Sequence, residues 1–263
     1  PKWATTAETW WSFYDARPFL AGGFVWTGFD YRGEPTPFER WPENASNFGQ
    51  MDSCGFPKDN YHYYRAWWGA KPALHLFPHW NWAGREGQEV AVWVHSNCDA
   101  VELFLNGHSL GRKSVTRNRH LAWQLPYAPS RIEAHGFAND RHILTDVRET
   151  TGTPHRIGLT SDRRSLAPGE VAVVRAAILD AKRREVPTAS NRVTFTLDGD
   201  ATLLGVGNGD PRCLEPDHAS ARSAFNGLCM AIVQAGGRGG AIRLTATGDG
   251  LDAAMLPLLA TRA

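Results

Sequence analysis

The sequence predicts a mainly β protein, in which two β-sandwiches follow a short helix–strand–helix segment. The tryptophans are distributed unevenly, which indicates that the first third of the chain differs in kind from the rest. Of the eleven tryptophans, nine occupy positions 3, 10, 11, 26, 41, 67, 68, 80 and 82. From about Leu74 onward, short runs of alternating apolar and polar residues recur, and this period-two pattern is typical of half-buried strands.

Composition and charge argue against several classes of protein. Hydrophobic residues make up 42% of the 263 residues and the formal net charge is +1, so bulk electrostatics predict neither a nucleic-acid partner nor a membrane-surface role. No apolar run approaches the roughly 18 residues of a membrane span. Cys54, Cys98, Cys213 and Cys229 form no C-x-x-C pair, so we expect free buried thiols, no metal site and no cofactor.

Residues 5–16 are predicted to form the first helix. A threonine at position 5 or 6 can cap the first turn. Trp10 and Tyr14 then share one face at helical spacing. The pattern indicates a helix with one aromatic side.

A short apolar run at Gly22–Thr27 is predicted to be a strand. Phe24, Val25 and Trp26 lie between glycines, and such runs fit strands that are buried on both faces, as in a parallel sheet or barrel. Aromatic and polar groups follow at once, where an α/β barrel places its ligand groups. The stretch is therefore the first candidate for a binding site.

The connection from Asp30 to Asp59 is long for a compact domain, and its prolines and aromatics predict an ordered, functional loop. A second helix is predicted at Asn60–Gly69, ended by Gly69 and Pro72. Such a helix–strand–helix segment cannot close a barrel, which needs roughly 250 residues. Its apolar faces therefore lack most of their partners.

Two sets of alternating strands follow. The first set comprises residues 90–94, 101–105, 121–125, 131–137 and 142–148. The second comprises residues 156–160, 171–179, 192–197, 201–206, 228–234, 242–246 and 253–259. The pair Asn106-Gly107 supplies a tight turn in the first set. Short strands at this spacing predict two immunoglobulin-like sandwiches.

The stretch Gly205–Pro211, in the second set, is rich in glycine. It is not a phosphate loop, because no lysine follows the glycines and no helix pattern begins there. We expect an irregular turn with positive backbone φ angles.

Several stretches resemble the C-terminal part of one enzyme family. Phe19–Pro37, then Cys54–Asp59 and the aromatic run Tyr61–Trp68, closely resemble the end of the catalytic barrel in glycoside hydrolase family 2 β-galactosidases. Val101–Gly107 resembles the sandwich that follows this barrel in one branch of the family. Gly205–Pro211 resembles part of the invasin-like, or bacterial immunoglobulin-like, module that closes the same proteins.

The resemblance implies three domains. They are the end of a (β/α)8 barrel at residues 1–72, an immunoglobulin-like sandwich at 73–152 and a bacterial immunoglobulin-like sandwich at 153–263. The chain opens at Pro1 without a methionine, so we expect a cut through a longer polypeptide. Compartment cannot be read from such a start, and periplasmic and secreted locations stay open.

The family hydrolyses glycosides with retention, using two carboxylates about 5 to 5.5 Å apart. In the family these groups lie at the ends of the fourth and seventh barrel strands, whereas Gly22–Thr27 corresponds to the eighth. The resemblance therefore implies no catalytic residue in this chain, which we expect to be inactive alone. Glu8, Asp30, Glu34 and Glu39 show no pairing at the required separation.

The resemblance does imply substrate-binding residues. Trp26 matches the family tryptophan that lines the sugar subsite, where an aromatic face stacks on C–H groups of the ring. Asp30 and Tyr31 are further candidates, although either can instead hold the loop by hydrogen bonds. The implied partners are a β-galactoside, bound through the complete barrel, and the upstream catalytic domain of the same polypeptide.

Three alternatives stay open. The sandwiches could be carbohydrate-binding or scaffolding modules, which would require Trp80, Trp82 and Trp93 to line an exposed platform. They could brace the barrel and support self-association into a homo-oligomer. The sugar is also open, because the same branch includes galactosidases, glucuronidases and mannosidases.

Overall fold

The computed structural model describes residues 5–38 and 40–262, which form two compact units. The first unit takes in residues 5–30, 48–51 and 57–150, and the second takes in 31–38, 40–47, 52–56 and 151–262. The loop that the sequence predicts between positions 30 and 59 is therefore shared between the two units. Parts of it bond to segments that follow more than 100 residues later, as when the N–H of Asn44 donates to the carbonyl of Pro211.

The two predicted helices are present. They are α1 at Ala7–Asp15 and α2 at Asp59–Trp68. Thr6 caps α1, since its side-chain oxygen accepts a hydrogen bond from the backbone N–H of Thr9 at 3.1 Å. Neither helix of the described residues is long and apolar enough to cross a membrane.

The predicted strand at residues 22–27 is wrong. In the part of the chain that the structure describes, this segment is irregular and pairs with no strand. A β-strand needs a neighbour to take up its backbone hydrogen bonds, and an apolar run alone does not supply one. The side chain of Phe24 is consequently 99% exposed instead of buried.

Seven strands of the first unit form two antiparallel sheets. They are β1 (Leu74–Phe77), β2 (Glu89–Ser96), β3 (Ala100–Leu105), β4 (His108–Ser114), β5 (Leu121–Pro126), β6 (Arg131–Ala138) and β7 (Arg141–Glu149). The three-stranded sheet has the order β1-β2-β5 and the four-stranded sheet has the order β4-β3-β6-β7. Asn106 and Gly107 both have positive φ, of 49° and 82°, so they form the predicted tight turn between β3 and β4.

The core of the first unit lies between these sheets. The inward residues of β2 and β3 alternate along the strands, as the sequence pattern predicts. Val92, Val101, Leu103 and Ile132 are completely buried there together with Trp80. This core explains the period-two pattern of the sequence.

Nine strands form the sheet of the second unit. They are β8 (Arg156–Ser161), β9 (Ser165–Leu166), β10 (Val171–Leu179), β11 (Arg192–Asp198), β12 (Ala201–Gly207), β13 (Ala221–Ser223), β14 (Leu228–Ala235), β15 (Gly240–Gly248) and β16 (Leu251–Ala260). The order is β12-β14-β10-β8-β16-β15-β11-β13, with β9 paired to β16. The end strands β12 and β13 lie near each other, so the sheet is nearly closed and barrel-like.

The structure thus confirms a mainly β chain. It does not clearly divide into two immunoglobulin-like sandwiches, because the second set of strands joins into one sheet instead of two separate layers. The joint between the halves of this sheet is a parallel pairing of β8 with β16 at Arg156 and Asp252. Period-two alternation specifies which face of a strand is buried, and it does not specify how many sheets result.

Candidate functional site

Trp26 lies on the extended segment that follows α1. This segment packs closely on the helix, because a Cβ atom added at Gly23 would lie 2.8 Å from Trp10 and 2.9 Å from Tyr14. The neighbouring Val25 packs against the small cluster between the two helices. Trp26 itself is 75% exposed, so its ring is presented on a segment that the helices hold.

Trp26 is part of a larger set of exposed aromatic side chains in the first unit. The exposed members are Phe13, Phe19, Phe24, Trp26, Phe29 and Trp68. Single exposed apolar residues are common, but four of these aromatics occur within the eleven positions from 19 to 29. The region that the sequence singles out is therefore chemically suited to contact a partner or a ligand.

Asp30 is buried and is held by protein groups. One carboxylate oxygen accepts a hydrogen bond from the backbone N–H of Gly49 at 2.8 Å, and the other forms an ion pair with Lys58. The backbone N–H of Asp30 donates to the carbonyl of Met51 at 3.0 Å. A side chain at position 49 would collide with this backbone, which explains the glycine there. These contacts fit the alternative in which Asp30 holds the loop.

Tyr31 belongs to the second unit. Its backbone makes two hydrogen bonds with Ser46, one from its N–H to the serine hydroxyl at 3.1 Å and one from the serine N–H to its carbonyl at 2.7 Å. Its phenol donates to the carboxylate of Glu34. Glu39, also weighed as a carboxylate of this loop, lies outside the described residues. Tyr31 and Glu34 therefore form a polar pair on the surface of the segment 31–38.

Glu8 has a structural partner set. Its carboxylate accepts hydrogen bonds from the ring and the backbone N–H of His120, at 2.7 and 3.0 Å, and from Arg119 at 2.9 Å. Burial alone would raise the pKa of Glu8, but these hydrogen bonds outweigh burial and hold the pKa below its ordinary value. A carboxylate stabilised in its ionised form is a poor general acid, and both oxygens of Glu8 are already bonded to Arg119 and His120, so these contacts support a structural role.

The second unit contains a cavity of about 300 Å³. Its wall includes Arg32 and Cys54 from the early loop and the glycine-rich stretch 205–210, together with Asp217 and Arg222. Gly205 and Gly207 belong to strand β12 and have no positive φ, so the predicted irregular turn is wrong for them; a positive φ, of 75°, occurs at Gly209. Burial, with a smaller effect of Asp52, raises the pKa of the Cys54 thiol to about 12, which excludes a thiolate nucleophile at neutral pH.

Arg222 is a buried cation that the sequence does not reveal as important. It is 1% exposed, and its guanidinium donates to five acceptors. These are the sulfur of Cys213 at 2.9 Å, the carbonyls of Val206, Glu215 and Pro216 at 3.0, 3.1 and 3.2 Å, and the carboxylate of Asp217 at 2.7 Å. The only sequence signal is an arginine on the inward position of a short alternating strand. Arg222 thus fixes the loops around the cavity.

The tryptophans required for a carbohydrate-binding platform do not share one exposed surface. Trp80 is completely buried, and its indole N–H donates to the hydroxyl of Ser130 at 2.8 Å. Trp82 is half-buried and stacks on His79, with 4.4 Å between ring centroids. Trp93 is the most exposed of the three, at 38%. Trp80 therefore cannot contribute to sugar binding from the surface.

Two family models match the chain. "Glycoside hydrolase family 2 C-terminal domain 5" matches residues 157–257, and a domain of unknown function (DUF4982) matches residues 87–144. The first match covers most of the nearly closed sheet of the second unit. The second match covers strands of the two sheets of the first unit.

Curated relatives and solved structures resemble nearly the whole chain. A β-galactosidase of Bacteroides ovatus is 40% identical over 262 residues, which is 98% of this chain and 30% of that protein. A putative β-glucuronidase of Formosa agariphila is 33% identical over 78% of this chain and 21% of that protein. The crystal structure of a β-glycosidase from Bacteroides vulgatus superposes with a TM-score of 0.92 at 37% identity, over 97% of this chain and 33% of that one. The chain thus spans about a third or less of the length of these relatives.

Proposed function

Since this chain belongs to glycoside hydrolase family 2, as the C-terminal domains of a glycosidase, we propose that it is part of a retaining β-galactosidase that hydrolyses terminal β-galactosides. The observation that carries the proposal is the 40% identity to a β-galactosidase over 98% of the chain. A specific observation favours a second substrate, a β-glucuronide, because another relative at 33% identity is a putative β-glucuronidase.

The catalytic carboxylates are proposed to lie in the barrel of the same polypeptide, upstream of this chain. Retaining hydrolysis needs one carboxyl group as acid and base and a second as nucleophile. The described carboxylates near the candidate site are already engaged, Asp30 with Lys58 and Glu34 with Tyr31. We expect the 263-residue chain alone to show no turnover.

Trp26 is proposed to stack on the sugar ring. The indole is 75% exposed on a segment that packs on α1, and an aromatic platform adds about 1 kcal/mol to binding beyond its buried area. Asp30 and Tyr31 stay predictions for substrate binding. The contacts of Asp30 support an indirect role, in which it fixes the loop next to Trp26.

The domain limits are proposed at 1–72, 73–152 and 153–263, with both later domains immunoglobulin-like. The two family matches, at residues 87–144 and 157–257, fall within the second and third of these. The paired sheets of the first unit support a sandwich there. Self-association is a further prediction for the later domains.

The proposal is tested on the complete polypeptide that carries this chain, with aryl β-galactoside and aryl β-glucuronide as substrates. Trp26→Ala is expected to lower kcat/KM roughly tenfold, the loss that about 1.4 kcal/mol of stacking produces, while Trp26→Phe retains most activity. Trp93→Ala, a change to a half-exposed tryptophan on β2, is the matched control and is expected to leave kcat/KM unchanged.

Two results would overturn the proposal. Turnover of neither substrate by the complete polypeptide excludes both glycosidase assignments. Robust turnover by the isolated 263-residue chain excludes catalytic carboxylates upstream. A preference for the β-glucuronide selects the second substrate over the first.

A further inference from the structure

The early loop segment, residues 31–38 and 40–47, belongs to the second unit. Asn44 makes the central contacts. Its backbone N–H donates to the carbonyl of Pro211 at 2.8 Å, and its side-chain amide donates to the carbonyl of Cys213 at 3.1 Å. Both acceptors belong to the turn that follows the glycine-rich stretch. One asparagine therefore attaches the loop segment to this turn, between β12 and β13, by two hydrogen bonds.

The same asparagine also fixes the other arm of the loop segment. Its carbonyl accepts a hydrogen bond from the N–H of Gly33 at 2.9 Å, and Arg32 and Ala45 form an antiparallel bridge beside it. Tyr31 and Ser46 continue this pairing with two further bonds. Because the two arms are paired, a contact that fixes Asn44 also fixes the backbone of Tyr31.

A second attachment runs through two arginines. Arg32 forms an ion pair with Asp217 at 3.0 Å, and the same carboxylate oxygen accepts from the buried Arg222 at 2.7 Å. An exposed ion pair alone contributes little to stability. Here the carboxylate of Asp217 is already oriented by its bond to Arg222. Arg222 is itself held by four further acceptors of the protein. Asp217 is therefore a fixed point for Arg32.

We infer that the loop between β12 and β13 positions the sugar-site loop, with Asn44, Arg32 and Asp217 as positioning residues for the polar pair formed by Tyr31 and Glu34. The inference rests on the proposed function, in which this loop follows the sugar platform. The last domain would then contribute to substrate binding as well as to the stability of the protein. None of the three positioning residues needs to touch the sugar.

The physical effect of such positioning is to reduce the ordering cost of binding. A loop already fixed in one arrangement loses less conformational freedom when the substrate arrives, so affinity rises without any new contact. Loosening the loop is therefore expected to raise KM and to leave kcat nearly unchanged, since the catalytic carboxylates lie elsewhere.

The test uses Asn44→Asp in the complete polypeptide, because this change keeps the shape of the side chain and replaces the donor with an acceptor that repels the carbonyl of Cys213. KM for an aryl β-galactoside is expected to rise roughly three- to tenfold, the effect of losing one hydrogen bond. The matched control is Gln234→Glu, which makes the same chemical change at a side chain that donates to the carbonyl of Gly169 at 2.9 Å. The control is expected to leave KM unchanged.

A second readout does not depend on activity. Hydrogen exchange of the amides of Gly33 and Ser46 is expected to accelerate in Asn44→Asp and to stay unchanged in Gln234→Glu. For the ion pair, Arg32→Gln is expected to raise KM, because it removes the positive charge. Arg32→Lys keeps the charge and is expected to keep KM near that of the parent.

Each outcome decides the inference. An unchanged KM in Asn44→Asp and Arg32→Gln, with a parent that turns over its substrate, overturns positioning and leaves the proposed function intact. An equal rise of KM in Asn44→Asp and Gln234→Glu also overturns it, because both changes would then act only by lowering the stability of the protein. Absence of turnover in the parent would overturn the proposed function. In that case, unchanged hydrogen exchange at Gly33 in Asn44→Asp would still show that Asn44 does not hold the loop.

Discussion

At the scale of single residues, the strongest constraint in the second unit is the buried charge of Arg222. A buried cation is costly unless it is paired and hydrogen-bonded, and the two terminal nitrogens of this guanidinium donate to five acceptors. Three of these acceptors are backbone carbonyls, that of Val206 in strand β12 and those of Glu215 and Pro216 in the loop that follows it. Arg222 therefore ties this loop to the strand.

Replacing Arg222 with methionine is expected to destabilise the second unit by about 3 kcal/mol. The methionine side chain fills similar space, but it leaves buried carbonyls without hydrogen-bond donors. Denaturant titration of the second unit measures the change. Arg243→Met, at an exposed position of β15, is the control and should leave the midpoint in place. A midpoint of Arg222→Met equal to that of the control would show that water satisfies these carbonyls.

A second residue-scale feature is a group of histidines where α2 meets β1 and β2. The rings of His62 and His75 stack with 3.7 Å between centroids, and His95 lies within the same aromatic layer. Burial, followed by repulsion from His75, lowers the pKa of His62 to about 4 and that of His95 to about 3. The charged groups that also act on His62 are Asp59, Arg65 and Arg148.

These depressed pKa values predict acid sensitivity of the first unit. Histidine in the unfolded chain takes up a proton near pH 6.5, whereas folded His62 does so only near pH 4. Stability is therefore complete above pH 6.5 and falls as the pH drops towards 4. His62→Phe keeps a stacked ring and is expected to reduce the loss of stability between pH 7 and pH 5, measured by urea titration. His108→Phe, on the exposed strand β4, is the control and should lose as much stability as the parent over this pH range.

The residue scale also shows where sequence reasoning stops. Trp26 is a candidate because the family resemblance implies it, and the residue is 75% exposed. Asp30 has the same sequence context, yet both of its oxygens are used by Gly49 and Lys58. Those partners lie 19 and 28 positions away, so no local pattern distinguishes a ligand group from a loop anchor. Arg222 is invisible for the same reason.

At the scale of elements, local signals predicted what local physics determines. Helix α1 begins where its threonine cap lies, and β3 and β4 meet at the Asn-Gly turn. Strand β4 itself was missed, because all seven of its residues are exposed and no apolar face marks it. The predicted strand at 22–27 failed for the opposite reason, since its apolar run has no partner among the described residues.

Strand β12 makes a close contact that can be tested by compensation. A Cβ atom at Gly207 would lie 2.6 Å from the sulfur of Cys54, in the loop 52–56. Gly207→Ala is expected to destabilise the second unit by about 1–3 kcal/mol, as overpacking does. Adding Cys54→Ala removes the sulfur and should recover most of this loss, as measured by a double-mutant cycle in denaturant. Simple additivity of the two changes would contradict the contact.

At the scale of the whole molecule, the two units do not follow the order of the chain. The boundaries predicted at residues 72 and 152 assume that each domain is one continuous piece. The structure assigns residues 31–47 and 52–56 to the same unit as 151–262. Periodicity identifies elements, but it carries no information on which distant loop packs against which sheet. This grouping therefore could not be predicted.

Residues 151–263 produced without the rest of the chain test this grouping. Their own sheet and core should fold, but the turn around Arg212 loses the contacts of Asn44 and Cys54. Trypsin is therefore expected to cleave after Arg212 faster than in the 263-residue chain. Cleavage after Arg238, an exposed residue in a distant turn, is the internal control and should be equal in both. Equal cleavage rates after Arg212 in the two proteins would show that the early loop does not protect this turn from trypsin.

The attachment of the early loop by Asn44 has a consequence for protein engineering. Exchanging the last domain between two related enzymes at a junction near residue 150 would combine a turn from one parent with an asparagine loop from the other. The mismatch would lie far from the junction in sequence. A chimera is expected to work best when residues 31–56 and 151–263 come from the same parent, so that the grafted unit is discontinuous along the gene.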